Sequence, residues 1–295
     1  NNEIGSLVLW KLVKKIKIQM TLNINGILLD LSKPKIMGIL NITPDSFYDG
    51  GVYNSDNKIL NQVEKMLLEG ADIIDIGGYS SRPGAKELTI KQETDRIIPI
   101  IELIVKKFEN VIISVDTFRS EIAKKAIKSG ASIINDISGG EIDNNMYKVV
   151  GELKVPYVIM HMKGVPKDMQ NNPKYDDIVT DIVRNLSYKI DLAKKAGILD
   201  IIIDPGFGFG KTLEQNFKIL ENLSFFKQLE QPIMVGVSRK SMIYKLLGIS
   251  PKDALNGSTC LNSISLNNGA NIIRVHDVKE AKEVVNLISF MKENS

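Results

Sequence analysis

Eight short apolar runs recur roughly every 35 residues along the chain, and each ends in a compact polar cluster. The runs occupy residues 35–40, 73–76, 111–115, 133–134, 157–160, 201–203, 233–235 and 272–273. Valine and isoleucine fill them with little polar alternation, the pattern of strands in a parallel sheet covered on both faces. Between them lie segments with a 3.6-residue apolar rhythm: 57–70 (Ile59, Leu60, Val63, Met66, Leu67, then Gly70), 94–108, 120–128, 178–196, 213–220 and 278–291. Gly130 and Gly197 read as helix stops. Eight strand–helix units in about 260 residues predict a single (β/α)8 TIM barrel. The rival is a doubly wound open sheet, which gathers its ligand contacts at one switch point. Here the polar ends are spread over the whole chain. An Asn25-Gly26 turn between residues 20–22 and 27–29 predicts a hairpin ahead of the barrel, placed to plug its bottom.

The chain has 295 residues, 43% of them apolar, enough for a sizeable core. A net charge of +3, with no basic block interleaved with aromatics, gives no footprint for nucleic acid. No stretch of roughly 20 apolar residues predicts a membrane span. The single cysteine, Cys260, excludes an internal disulfide framework and a cysteine-only zinc site, and suits a reducing cytoplasm. Residues 1–19 carry an apolar-basic run and the one tryptophan, Trp10. Their lysines fall after and among the apolar positions, with no small-residue cleavage site behind them, so the segment reads as an extension outside the barrel of residues 20–295.

The strand ends supply, in order, Asn41; Ser80, Ser81 and Arg82; Asp116; Asn135 and Asp136; His161; Asp204; Ser238, Arg239 and Lys240; and Arg274, Val275 and His276. One such Asp or Asn is as readily a helix cap as a ligand group; caps alone do not account for polar groups after every strand. Asp116 and Asp204 directly follow apolar strands, so their carboxylates require partners. A ligand edge with paired N–H donors, such as a 2-aminopyrimidinone, satisfies such a carboxylate, and Asn135 reads an adjacent ring nitrogen. Two aspartates and an asparagine are equally an oxygen-ligand set for a metal.

The segment Asp204-Pro-Gly-Phe-Gly-Phe-Gly-Lys-Thr212 lacks the glycine spacing of a phosphate loop. It reads as a mobile or close-approach loop whose Phe207 and Phe209 pack on a flat ligand. Lys240 suits a carbonyl or ring nitrogen, whereas Arg239 is equally a structural ion-pair partner. Arg274 and His276 are two apart and share a face, where the arginine stacks on a ring or grips a phosphate. His161 alone reads as a satisfied structural histidine. The glycine-bearing loops at 41–51 and 77–85 read as lids, with Asn41 and Arg82 at their bases.

Taken together, these segments resemble the dihydropteroate synthase family. The resemblance rests on Met37-Gly-Ile-Leu-Asn-Ile-Thr-Pro-Asp-Ser-Phe47, Asp75-Ile-Gly-Gly with Ser81-Arg-Pro-Gly84, Ser114-Val-Asp-Thr117, Ile134-Asn-Asp-Ile137, Asp204 to Lys211, Gly236-Val-Ser-Arg-Lys240 and Arg274-Val-His-Asp277. It implies a TIM barrel, commonly a homodimer, that needs Mg2+. It implies that Asp116, Asn135, Asp204 and Lys240 bind a pterin ring, that Arg274 stacks on that ring, and that Arg274 and His276, with Val275 between them, hold a diphosphate. By the same resemblance Asn41 is the protein ligand of Mg2+, and Ser81 and Arg82 reach the diphosphate and 4-aminobenzoate. Pro83, Phe209, Ser238 and Lys240 line the 4-aminobenzoate pocket, closed by Phe47 and Asp45. The implied catalytic groups are Arg82, Lys240, Arg274 and His276.

One departure stands out. The family's second loop often reads Glu-Ser-Thr-Arg-Pro-Gly, and here Tyr79 and Ser81 replace the acid and the threonine. The implied reaction joins (7,8-dihydropterin-6-yl)methyl diphosphate to 4-aminobenzoate. The alternatives are a methyltetrahydrofolate-dependent corrinoid methyltransferase of a related barrel and a catalytically silent pterin-binding paralogue.

Overall fold

The structure is a computed structural model that describes residues 20–42, 52–79, 88–164, 169 and 173–294. Residues 1–19 lie outside it. The chain opens with a hairpin of β1 (Thr21–Ile24) and β2 (Ile27–Asp30). Asn25 and Gly26 turn between them with φ of 52° and 89°, the left-handed pair that a two-residue hairpin needs and that Asn-Gly adopts at least cost.

Eight parallel strands follow: β3 (Lys35–Asn41), β4 (Ile73–Gly77), β5 (Ile113–Asp116), β6 (Ile133–Asp136), β7 (Tyr157–Met160), β8 (Ile201–Asp204), β9 (Met234–Val235) and β10 (Ile272–Val275). Their order in the sheet is β8-β7-β6-β5-β4-β3-β10-β9. The ring closes where the Ile203 amide donates to the Pro232 carbonyl at 2.9 Å and Ile203 bridges Ile233. This is the TIM barrel expected from the repeat.

Around it stand α1 (Val52–Leu68), α2 (Ile90–Lys107), α3 (Ser120–Lys128), α4 (Met146–Leu153), α5 (Ile178–Lys195), α6 (Leu213–Glu221), α7 (Ser241–Leu247), α8 (Leu255–Asn267) and α9 (Val278–Glu293). Thr89 and Thr212 start α2 and α6 with reciprocal capping boxes to Gln92 and Gln215. None of the described helices is long and apolar enough to cross a membrane.

Strand side chains alternate between the barrel lumen and the helices, a period of two that assigns every residue a side. One set, including Ile36, Ile74, Ile113, Ile134, Tyr157, Ile201, Ile233 and Ile273, packs outward with the helices as the main core. The other set, Met37, Ile73, Ile133, Val158, Ile202, Met234 and Ile272, meets at the bottom of the lumen. Leu22, Ile24 and Leu31, on and just beyond the hairpin, are buried against that second set. Each such burial stabilises by roughly 1.5–3 kcal/mol, so the hairpin is an integral stopper.

Candidate active site

Two residues above the bottom layer, the same lumen-facing register turns polar. It carries Asp75 on β4, Asn135 on β6, Asp204 on β8 and Arg274 on β10, with Asp116 on β5 and Asn41 on β3 one step higher. The Arg274 guanidinium spans the lumen. Its Nε donates to Asp75 at 2.6 Å and a terminal nitrogen donates to Asp116 at 2.8 Å. The Asn135 amide donates to the two Asp75 oxygens at 3.4 and 3.2 Å. Asp75 is fully buried, and its place in this cluster escaped the sequence reading. The available signal was an aspartate midway along an otherwise apolar strand, which has no route to water and must meet a cation inside.

Asp204 accepts the Gly206 amide at 2.7 Å. Burial pushes its carboxyl above the usual range, opposed chiefly by the charge of Lys240. Lys240 stands at the start of α7 and donates to the Phe207 carbonyl at 2.5 Å, with its ammonium 4.8 Å from the Phe209 ring centre. Burial lowers Lys240 to about 8, against the pull of Asp204. Burial also raises Asp116 to about 7, with Arg274 opposing and the Asp75 charge adding to the rise. The side chain keeps 22% of its surface open toward the mouth. Among the described residues Asp75, Asp116 and Asp204 share Arg274 and Lys240, so the Asp75 charge adds to the effect of burial on Asp116.

Ser238 and His276 tie the ends of the last two strands together. The His276 amide donates to the serine oxygen at 3.2 Å, and that hydroxyl lies 3.1 Å from the ring Nδ1. Val275, between two lumen-facing residues, turns its side chain into the outer core, so only its backbone faces the mouth. Arg239 points away. It makes a two-pronged pair with Asp277 at 2.9 and 2.7 Å and donates to the carbonyls of Pro251 and Lys252, which makes it the structural partner of the two readings open to it. Phe47, Ser81, Arg82 and Pro83, with both lids' centres, lie outside the described residues.

The strand-end pattern therefore divides by side. Asp136 faces outward, where it accepts from the amides of Ser138 and Gly140, the Ser138 hydroxyl and the Tyr157 hydroxyl. His161 faces outward too, 3.0 Å from the ammonium of Lys211, and burial holds its ring neutral by lowering it to about 2. It is the satisfied structural histidine. Of the two phenylalanines expected on the ligand, Phe207 is fully buried in the outer core and cannot pack there. Phe209 alone joins the mouth-side cluster with Phe118, Ile137, Met160, Met162 and Met169. Tyr79 meets Phe118 edge-on at 5.2 Å with Arg119 near its ring, so an aromatic contact takes the place of the family's acid.

Among the described residues no three His, Cys, Asp or Glu side chains converge as a metal cage. Of the two aspartates in the oxygen-ligand reading, Asp116 is paired with Arg274 and Asp204 accepts the Gly206 amide. Asn41 does fit a magnesium ion of another kind. Its side chain is exposed at the mouth, with its oxygen toward Gly77, and offers one hard ligand to an ion that keeps water and phosphate oxygens for the rest.

Comparison with known proteins places these features in a family. Residues 37–276 match the family described as pterin binding enzyme. The chain is 45% identical over 271 residues to the dihydropteroate synthase of Escherichia coli strain K12, covering 91% of this chain and 95% of that protein. It superposes with a TM-score of 0.87 on the Yersinia pestis dihydropteroate synthase solved as a sulfonamide drug complex, at 42% identity, over 93% of this chain and all of the other, 100%. A Xanthomonas albilineans dihydropteroate synthase solved with 4-aminobenzoic acid gives a TM-score of 0.86 at 37% identity, over 93% of this chain and 98% of that one.

Proposed function

The chain belongs to the dihydropteroate synthases among the pterin-binding enzymes, and on that premise we propose that its barrel mouth condenses (7,8-dihydropterin-6-yl)methyl diphosphate with 4-aminobenzoate. The products are 7,8-dihydropteroate and diphosphate, a step of folate biosynthesis. The observation that carries this reading is the single connected cluster of Asp75, Asp116, Asn135 and Arg274 on the lumen floor, with Asp204 and Lys240 beside it. Carboxylates at that depth match the amino and ring N–H groups of a pterin, and Asn135 matches the mixed donor and acceptor edge beside them. Lys240 suits a ring nitrogen or carbonyl.

The C–O bond from the pterin methylene to diphosphate breaks, and a C–N bond to the arylamine forms, the amine releasing a proton. The electron-rich pterin delocalises positive charge on the methylene. Arg274, His276 and Arg82 hold the diphosphate as its charge grows. Asn41 is the residue that would hold Mg2+, which when bound neutralises phosphate charge. No protein nucleophile is required. A homodimer in a reducing cytoplasm is part of the same proposal; apolar side chains exposed on α7 (Leu246, Leu247) and α9 (Leu287, Phe290) are compatible with a partner subunit.

The test is diphosphate release with both substrates and Mg2+. Release that depends on 4-aminobenzoate is expected. Its absence, with transfer of a methyl group from methyltetrahydrofolate in a corrinoid assay, would give the site to the methyltransferase reading. Tight pterin binding without turnover would give it to the silent paralogue.

A pH dependence follows from Asp116. Below about 7 the carboxyl holds a proton and loses an acceptor; above it the carboxylate is free to receive pterin N–H groups. KM for the pterin diphosphate should therefore fall as pH rises through about 7, and Asp116→Asn should flatten that limb. In the free protein the sign for stability is opposite. An acid raised by folding contributes most at low pH, and its contribution is lost as pH rises through about 7.

A further inference from the structure

Lys211 is 97% buried by its 3% exposure and lies outside the lumen, where its one bond to a residue assigned to substrate is to the Phe209 backbone. Its ammonium meets four acceptors. They are the carbonyls of Gly206 at 2.8 Å, Phe209 at 2.9 Å and His161 at 3.3 Å, and the His161 ring nitrogen at 3.0 Å. Three N–H bonds against four acceptors leave no donor idle, and the neutral His161 ring accepts. Two of those carbonyls, Gly206 and Phe209, bracket one tight turn. The Phe209 amide closes the same turn by donating to the Gly206 carbonyl at 3.1 Å.

Two further carbonyls of the segment are also held. Lys240 takes that of Phe207 from the lumen side, and the Tyr175 hydroxyl takes that of Gly210 at 2.8 Å. Asn216 accepts the Gly208 amide at 2.7 Å. The loop is thus gripped by one lysine from inside the barrel and one from outside. What it presents to the mouth is the Phe209 ring.

We propose that Lys211 is a positioning residue for the amine substrate: by binding the Gly206 and Phe209 carbonyls to the end of β7 it fixes the Phe209 ring over Lys240. The inference rests on the synthase reading, under which Phe209 lines the 4-aminobenzoate pocket. It assigns to a buried lysine, which contacts no reactant, control over one of two substrates. Losing the ammonium takes a donor from all four acceptors and leaves the Gly206 carbonyl only the Phe209 amide, and a ring displaced by an ångström no longer packs the amine.

The experiment is steady-state diphosphate release with Lys211→Met, Phe209→Ala and the double variant. Wild-type turnover in the same assay tests the synthase reading separately. Lys211→Met is expected to raise KM for 4-aminobenzoate by at least about tenfold while KM for the pterin diphosphate stays within about twofold. Because the lysine acts through the ring, the double variant should match Phe209→Ala alone. Equal rises in both KM values, or losses that multiply in the double variant, would overturn the proposal. If Lys211→Met fails to fold, His161→Leu carries the same test. That variant keeps the lysine and removes one acceptor, so a selective rise of about threefold in 4-aminobenzoate KM is expected, and an unchanged value overturns it.

Discussion

Arg274→Ala should lower kcat/KM for the condensation by about three orders of magnitude, whereas Arg239→Ala should cost less than about tenfold. The two arginines come from adjacent strands' ends and differ in what they touch. Arg274 bridges Asp75 and Asp116 inside the lumen, and Arg239 pairs with Asp277 behind it. Removing Arg274 withdraws the cation that would grip the leaving diphosphate and also strands two carboxylates. Breaking a buried pair in this way costs roughly 3–5 kcal/mol. Thermal melting should accompany the kinetics, because a folded Arg274→Ala protein with undiminished kcat/KM would remove β10 from the anion site. Arg274→Lys retains the charge but not the two-pronged geometry, and should recover stability more than rate.

Gly206→Ala is expected to destabilise the protein by about 3–5 kcal/mol and to abolish activity in what remains folded. Gly206 has φ of +74°, and a Cβ there would lie 1.9 Å from the His161 carbonyl oxygen. A rigid backbone atom cannot yield as a flexible side chain does, so the loop must lift from the end of β7. Lifting it breaks the Lys211 grip and withdraws the Gly206 amide from Asp204. Chemical denaturation measures the stability loss; a midpoint equal to wild type would mean that the loop has slack.

The barrel was legible because the strand code is simple. Apolar runs such as 201–203 are buried on both faces, and the polar residue that ends each run marks the mouth. What the runs do not display is the side each polar residue takes. Asn135 and Asp136 are neighbours in sequence, yet one faces the lumen and the other a tyrosine hydroxyl on the outside. Only the register of the whole sheet separates them.

Helices α4, α7 and α8 went unread for a different reason. The α8 sequence LNGSTCLNSISLN is rich in residues of low helix propensity and has no clear apolar stripe. A Cβ on its Gly257 would lie 2.3 Å from a side-chain carbon of Ile243 on α7, so the glycine permits that close approach. Packing forms that helix where local preference does not. Asp75 and Lys211 were hidden because each needs a partner far away in sequence, Arg274 for one and the His161 strand end for the other.

The hairpin under the barrel has a consequence for traffic. A tube stoppered at one end has a single doorway, and here the floor of the lumen lies deepest from it. Whatever binds on that floor must enter before whatever sits above it. Under the proposed reaction the joined product must leave through the same opening by which its two halves arrived, and a lingering amine at the mouth would hold the pterin in.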